Sequence, residues 1–178
     1  MRTRGPSGLS AKGLPTCTAS KITATNTQTA KKACPKAIVG SGKTSVRVAF
    51  PESSPFSANG PLVVFNGGEK GGTTTLYIHA YVAVPAPTAI VTTVKIKKEH
   101  RGRFGLRSIA TIPPIAGGSG SVTNFELTIG KKFTYKGRQQ SYLEAKCATG
   151  SFAAEADAIF AGGTEAKGSV VRTCKAKG

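Results

Sequence analysis

Four cysteines, Cys17, Cys34, Cys147 and Cys174, are the first candidates for covalent chemistry in this chain. An even count in a small domain rich in Gly, Thr, Ser and Val points to disulfides, with three connectivities open. Proximity along the chain favours Cys17 with Cys34 and Cys147 with Cys174. Loops of that size stabilise a fold by about 3 kcal/mol each when the bonds form without strain. The rival arrangements are free thiols and a four-cysteine zinc site. Structural zinc gathers its thiolates in closely spaced C-x₂₋₄-C pairs, and none of these cysteines has such a neighbour, so no metal is expected.

Other reactive side chains are few. Only His79 and His100 can serve as a base for a serine or cysteine nucleophile. His79 falls in an alternating strand pattern between aromatic residues, and His100 sits in a Lys/Arg-rich loop with only Glu99 beside it. Neither has the nucleophile and orienting group that such catalysis needs. Glu155 and Asp157 share one face of a strand, and Glu126 and Glu144 can meet across strands, but no pattern sets two carboxylates across a cleft. Gly40-Ser41-Gly42-Lys43-Thr44 resembles the end of a P-loop. However, Ala37 stands where the motif needs glycine, and a helix precedes it where a strand belongs. Gly117 to Ser121 resembles a nucleophile elbow but has Ser121 in place of the second glycine. Calcium loops are absent too. The expectation is a protein that is not an enzyme and carries no cofactor.

Charge is the stronger signal. Against 8 Asp and Glu stand 25 Lys and Arg, a net charge of +17. A field of that size draws polyanions without saying anything about fold. One cluster is Lys95, Lys97, Lys98, Arg101, Arg103 and Arg107; a second is Lys131, Lys132, Lys136 and Arg138. Interleaved with Phe104 and Tyr135, they can hold single-stranded nucleic acid by charge and stacking. Lys outnumbers Arg 17 to 8, which leans towards diffuse attraction rather than the bidentate readout that Arg performs. Anionic polymers of the cell envelope are therefore the preferred partners, nucleic acid is the alternative, and a solvated basic surface is the plainest reading of both clusters. Tyr77, His79 and Tyr81 form the best small-ligand face, flat apolar rings with polar tips, unless they pack under a loop.

The elements that must position these groups are strands. The apolar fraction is 39% with no Trp, and alternation dominates from Thr44 onward. Val46, Val48 and Phe50 alternate with polar residues. Leu62 to Phe65 is a short strand and Asn66-Gly67-Gly68 a turn. Thr73 to Val84 is the longest strand, with Leu76, Ile78, Ala80 and Val82 opposite Tyr77, His79 and Tyr81. Phe125, Leu127 and Ile129 share one side of a further strand. A hairpin surrounds Lys136-Gly137-Arg138, and Phe152 to Phe160 alternates again. Helical promise is confined to one short N-terminal helix near Gln28 to Ala33, capped from Thr25, Asn26 or Thr27 and ended by Pro35. Gly40-Ser41-Gly42 reads as a loop. Eight to ten regularly spaced strands predict a mainly β fold, an antiparallel β-sandwich or barrel-like domain. Residues 1–12 read as a flexible basic tail and 13–178 as a single disulfide-stapled β-rich domain.

No apolar run is long enough to cross a membrane. The basic start, Met1 to Lys12, lacks the apolar stretch of a signal peptide. Disulfides in an exported chain then require a true start upstream of Met1; the alternative is a cytosolic chain with reduced thiols. Five stretches bear on this. They are Gly13-Leu14-Pro15-Thr16-Cys17, Ala33 to Gly42 with its Cys34-Pro35, Phe65-Asn66-Gly67-Gly68, Ser141-Tyr142-Leu143-Glu144-Ala145-Lys146-Cys147, and Arg172-Thr173-Cys174. Together they resemble a group of exported β-rich proteins of soil actinobacteria that has no assigned activity. The resemblance covers most of residues 13–178. It implies an extracellular or envelope location and a longer chain with a signal peptide, and it transfers no catalytic residue. The function expected is a non-enzymatic extracytoplasmic binding or structural module.

Overall fold

A computed structural model describes residues 2–4, 7–83, 86–99, 104–145, 147 and 150–175. Within them the chain forms β1 (Arg2–Arg4), β2 (Ser7–Leu9), α1 (Ala19–Ile22), α2 (Thr27–Ala33), β3 (Ile38–Val48), β4 (Phe56–Lys70), β5 (Thr73–Val82), β6 (Thr88–Lys98) and β7 (Phe104–Thr111). There follow β8 (Gly120–Ile129), β9 (Lys132–Tyr135), β10 (Arg138–Ser141), β11 (Leu143–Ala145), β12 (Ser151–Ile159) and β13 (Glu165–Thr173). The fold is mainly β, as the alternation predicts. One antiparallel sheet of nine strands runs in the order β13-β12-β1-β7-β6-β5-β4-β3-β8, with small two-stranded sheets β9–β10 and β2–β11 against it.

The antiparallel sheet is curled, consistent with a barrel-like domain, and glycines stand where its strands approach most closely. Gly40 and Gly42 on β3 carry no side chain towards β8, and a Cβ at either would collide with the carbonyl oxygens of Thr128 and Glu126. Gly60 on β4 meets the carbonyl of Tyr81 in the same way. Missing side chains let neighbouring strands coil more tightly than a filled face permits. This corrects the expected loop at Gly40-Ser41-Gly42, which is strand throughout, and it disposes of the phosphate-loop geometry there.

The inner face carries Val46, Val48, Leu62, Ala80, Val82 and Ile90 in one cluster, and Val64, Leu76 and Val94 in another. The outer face of β4 to β6 carries Val63, Phe65, Tyr77 and Val91 beneath the N-terminal helices, with Ile22, Ala30 and Ala37 completing the layer. Cys17 and Cys34 are bonded inside that layer, with Cα atoms 5.7 Å apart, and Cys147 is bonded to Cys174, 6.0 Å apart. Both pairings expected from proximity are present.

Other expectations need correction. Two short helices occur, not one. The anticipated helix is α2, whose Asn26 side chain accepts from the Thr29 N–H at 2.9 Å, an N-cap in the predicted place. The additional α1 has a single buried residue, Ile22, and too little periodicity to be seen. The longest strand is β4 rather than β5, and Val84 and Pro85 lie outside the described residues. Asn66-Gly67-Gly68 is not a turn but an irregularity inside β4, where the register with β5 slips; the chain reverses at Gly71-Gly72 instead. Asn66 itself is fully buried, and its side chain explains the slip. Its Oδ1 accepts from the Gly68 N–H at 3.0 Å and from the Tyr142 hydroxyl at 3.1 Å, while its Nδ2 donates to Pro15 O at 3.0 Å. Finally, residues 2–4 and 7–9, expected in a flexible tail, pair as β1 and β2. Strand pairing uses backbone groups alone, so a Gly/Ser-rich segment can join a sheet with no side-chain signature.

Candidate binding surfaces

The candidate catalytic side chains named from the sequence are placed apart or engaged elsewhere in the described residues. All four cysteines are in disulfides, which removes the thiol nucleophiles. His79 is fully buried on the outer face of β5, beneath the turn between α1 and α2, with its Nε2 2.9 Å from Thr25 O. Its Nδ1 has no hydrogen-bond partner among the described residues. Burial holds its pKa below the usual histidine range, against a smaller opposing effect of the hydrogen bond to Thr25. An imidazole fully buried beneath the turn between α1 and α2 is not placed to meet a substrate. His100 lies outside the described residues. Glu126 is on β8 and bonded to Lys43 at 3.3 Å, whereas Glu144 is on β11 in a separate small sheet, so those two carboxylates do not form a pair. No group of three His, Cys, Asp or Glu residues suited to a metal occurs among the described residues.

The face of Tyr77, His79 and Tyr81 is shared in three ways. Tyr77 is half-buried against the layer that holds the Cys17–Cys34 bond, His79 is covered, and Tyr81 is half-exposed. What a ligand could touch there is Tyr81 and the edge of Tyr77.

The first basic cluster continues the same outer face beyond the helices. Lys95 and Lys97 point outward from β6, and Arg107 from β7, all exposed. Their register is a grid: Thr75, Lys95 and Ile109 stand in one row, Thr73, Lys97 and Arg107 in the next. Arg2 of β1 is the following position in register with Arg107. Strand geometry sets such cations about 7 Å apart along a strand and about 5 Å apart across it. None of Lys95, Lys97 and Arg107 is in an ion pair with a described residue. Lys98, in register with Leu106, borders with Lys97, Lys12 and Glu69 a hollow of about 400 Å³ of mixed polar and apolar lining. Arg101 and Arg103 lie outside the described residues.

The second cluster is elsewhere. It follows β8, four positions from β6 in the sheet. Lys131 is committed to the fold, its Nζ donating to Lys36 O at 2.7 Å. Lys132 and Arg138 are exposed on the β9–β10 hairpin. Its two-residue turn, Lys136-Gly137, has positive φ at both positions, 50° and 74°, the combination whose twist matches a tight hairpin. Lys136 Nζ lies 5.8 Å from the centre of the Tyr135 ring, and that ring packs directly on Gly13. The two clusters are thus not one surface, and the aromatics between them are engaged: Phe104 is buried and Tyr135 is packed.

The inner face holds a feature that residue patterns do not reveal. Strands β7 and β8 are not neighbours in the sheet, yet residues of both line one space on its inner face. That space is a cavity of about 100 Å³, lined by residues such as Ile78, Ala80, Thr92, Ala110, Ile115 and Leu127. In sequence those positions are ordinary inward-facing core residues. Only the failure of β7 and β8 to meet makes them a wall. Comparison with protein-family models, with curated proteins and with solved structures found no match to this chain.

Proposed function

We propose that the chain is a non-catalytic extracytoplasmic binding module that holds an anionic polymer of the cell envelope on the outer face of β6 and β7. One observation carries the reading: Lys95, Lys97 and Arg107 form an exposed grid without a described counter-ion, with Lys97 directly opposite Arg107. Like charges in direct register destabilise a sheet, so the arrangement is one that a bound polyanion relieves. Thr73 and Thr75 flank the cations in register and offer hydroxyls to phosphate or carboxylate oxygens. The net charge of +17 speeds encounter with such a polymer. Two disulfides fit an oxidising compartment outside the cytoplasm, and no described helix is long and apolar enough to cross a membrane. Nucleic acid is the weaker partner, since stacking needs free rings and Phe104 and Tyr135 are both engaged.

The test is a binding titration against a glycerol-phosphate polymer and a single-stranded oligonucleotide over a range of salt. Replacing Lys95, Lys97 and Arg107 together by Glu removes polymer binding, whereas the same change at Lys132, Lys136 and Arg138 leaves most of it. Equal losses from both triples, or a preference for the oligonucleotide at matched salt, would defeat the reading. Free thiols in the exported protein, seen by non-reducing mass spectrometry, would defeat its compartment.

A further inference from the structure

We propose that the cavity between β7 and β8 binds the hydrocarbon chain of an anionic amphiphile, independently of the polymer face on the other side of the sheet. Its walls are almost wholly apolar. The hydroxyl of Thr44 is spent on Asn124 O at 2.9 Å, which leaves Thr92 as the other hydroxyl-bearing residue in the wall. Water is held well only where it finds two to four polar partners, and enclosed apolar cavities of about 150 Å³ accept apolar guests; this space is open on one side but offers water few such partners. At about 100 Å³ the space suits the end of an alkyl chain and excludes a headgroup.

The mouth says how the rest of the molecule lies. Phe125 on β8 and Ile112 just after β7 both line the cavity, yet they are 62% and 51% exposed. Two large apolar side chains left in water at the rim extend the apolar path outward from the cavity. A chain that enters between the strands covers both, and its polar end remains in solvent. The chain as a whole carries 25 basic against 8 acidic residues, so an acidic headgroup is drawn towards the protein and a cationic one repelled. The lining includes Leu62, Ala80 and Ile90, which are buried in the core, and a space of this volume takes a chain end rather than a whole molecule.

The experiment is displacement of a fluorescent fatty acid, dansylundecanoate, from the oxidised protein. Decanoate should displace it best, decanol less well and decyltrimethylammonium least, and butanoate should fail. Ala110→Phe fills the space from an exposed position on β7, and Thr92→Leu fills it from β6; each should weaken binding at least tenfold. Val171→Lys, on the distant hairpin, should leave binding unchanged. Wild-type affinity in both filled variants, loss of binding in Val171→Lys, or equal competition by decanol and decanoate would overturn the proposal. Should either filled variant fail to fold, a diazirine-bearing fatty acid on the wild-type protein decides the matter. Crosslinks on β7 and β8 support the site, and crosslinks confined to the C-terminal hairpin overturn it. Because the polymer grid lies on the opposite face, its triple Glu variant should still bind the chain, which separates this outcome from that of the polymer reading.

Discussion

The two disulfides close loops of similar size in very different surroundings. Cys17–Cys34 spans 17 residues and lies inside a packed layer, 2% and 6% exposed, with Ile22 and Phe65 fully buried beside it. Cys147–Cys174 spans 27 residues at the base of the β12–β13 hairpin. Every residue of β13 is exposed, and among the described residues β12 pairs with the rest of the sheet at Glu155 and Ala154, opposite Arg2 and Thr3. Chain entropy alone ranks the two in the other order, about 3 kcal/mol for the shorter loop and about 3.5 for the longer. A crosslink contributes to global stability only when global unfolding must open what it ties. The N-terminal bond is coupled to the core, while the C-terminal one secures a ribbon that has little core to share.

That contrast can be broken or sharpened. The largest difference should come from packing. Phe65→Ala should cost about 3–5 kcal/mol of stability by urea unfolding, as buried aromatic truncations do, whereas Val171→Ala, 64% exposed, should stay within about 0.5 kcal/mol. Similar values for the two would mean that the hairpin is as integrated as the helical layer. Next, paired Cys→Ala replacement at 17 and 34 should lower stability by about 3 kcal/mol. The same change at 147 and 174 should shift the global midpoint less and instead speed amide exchange within β12 and β13. A larger loss at the C-terminal pair would restore the entropic ranking. A smaller effect tests how the N-terminal layer begins: Asn26→Ala removes the cap on the Thr29 N–H and should cost about 1 kcal/mol, with no counterpart in the hairpin.

The smallest effect concerns pH. Burial depresses the pKa of His79 in the folded protein, so the unfolded chain binds the proton more readily. The stability this group contributes is complete above its ordinary pKa near 6.5 and is lost as pH falls below that value. Urea midpoints should be level from pH 8 to 7 and decline towards pH 5.5, and His79→Leu should flatten that decline. Parallel curves for the two proteins would show that the imidazole is not sealed beneath Thr25.

Much of this architecture is legible from side chains one at a time. Alternation identifies β5, β8 and β12 and divides Tyr77, His79 and Tyr81 from Leu76, Ile78 and Ala80. A capping residue and Pro35 bracket α2. Proximity pairs the cysteines. Alternation does not say which strands become neighbours or which glycines bend them. Asn66-Gly67-Gly68 has the composition of a turn, yet the buried Asn66 amide, tied to Tyr142 and Pro15, makes it an irregularity in a long strand. Lys131 and Lys132 look alike in sequence, but only Lys131 is tied to the Lys36 carbonyl.

Local chemistry in the chain therefore determined the class of the fold, the sides of its strands, the sulfur pairing and the abundance of positive charge, because each depends on residue type and near spacing. The curl, the meeting of Lys97 with Arg107, the burial of His79 and the gap between β7 and β8 were decided only by tertiary structure. They depend on which distant backbones hydrogen-bond to one another, and that choice is made by the whole sheet at once.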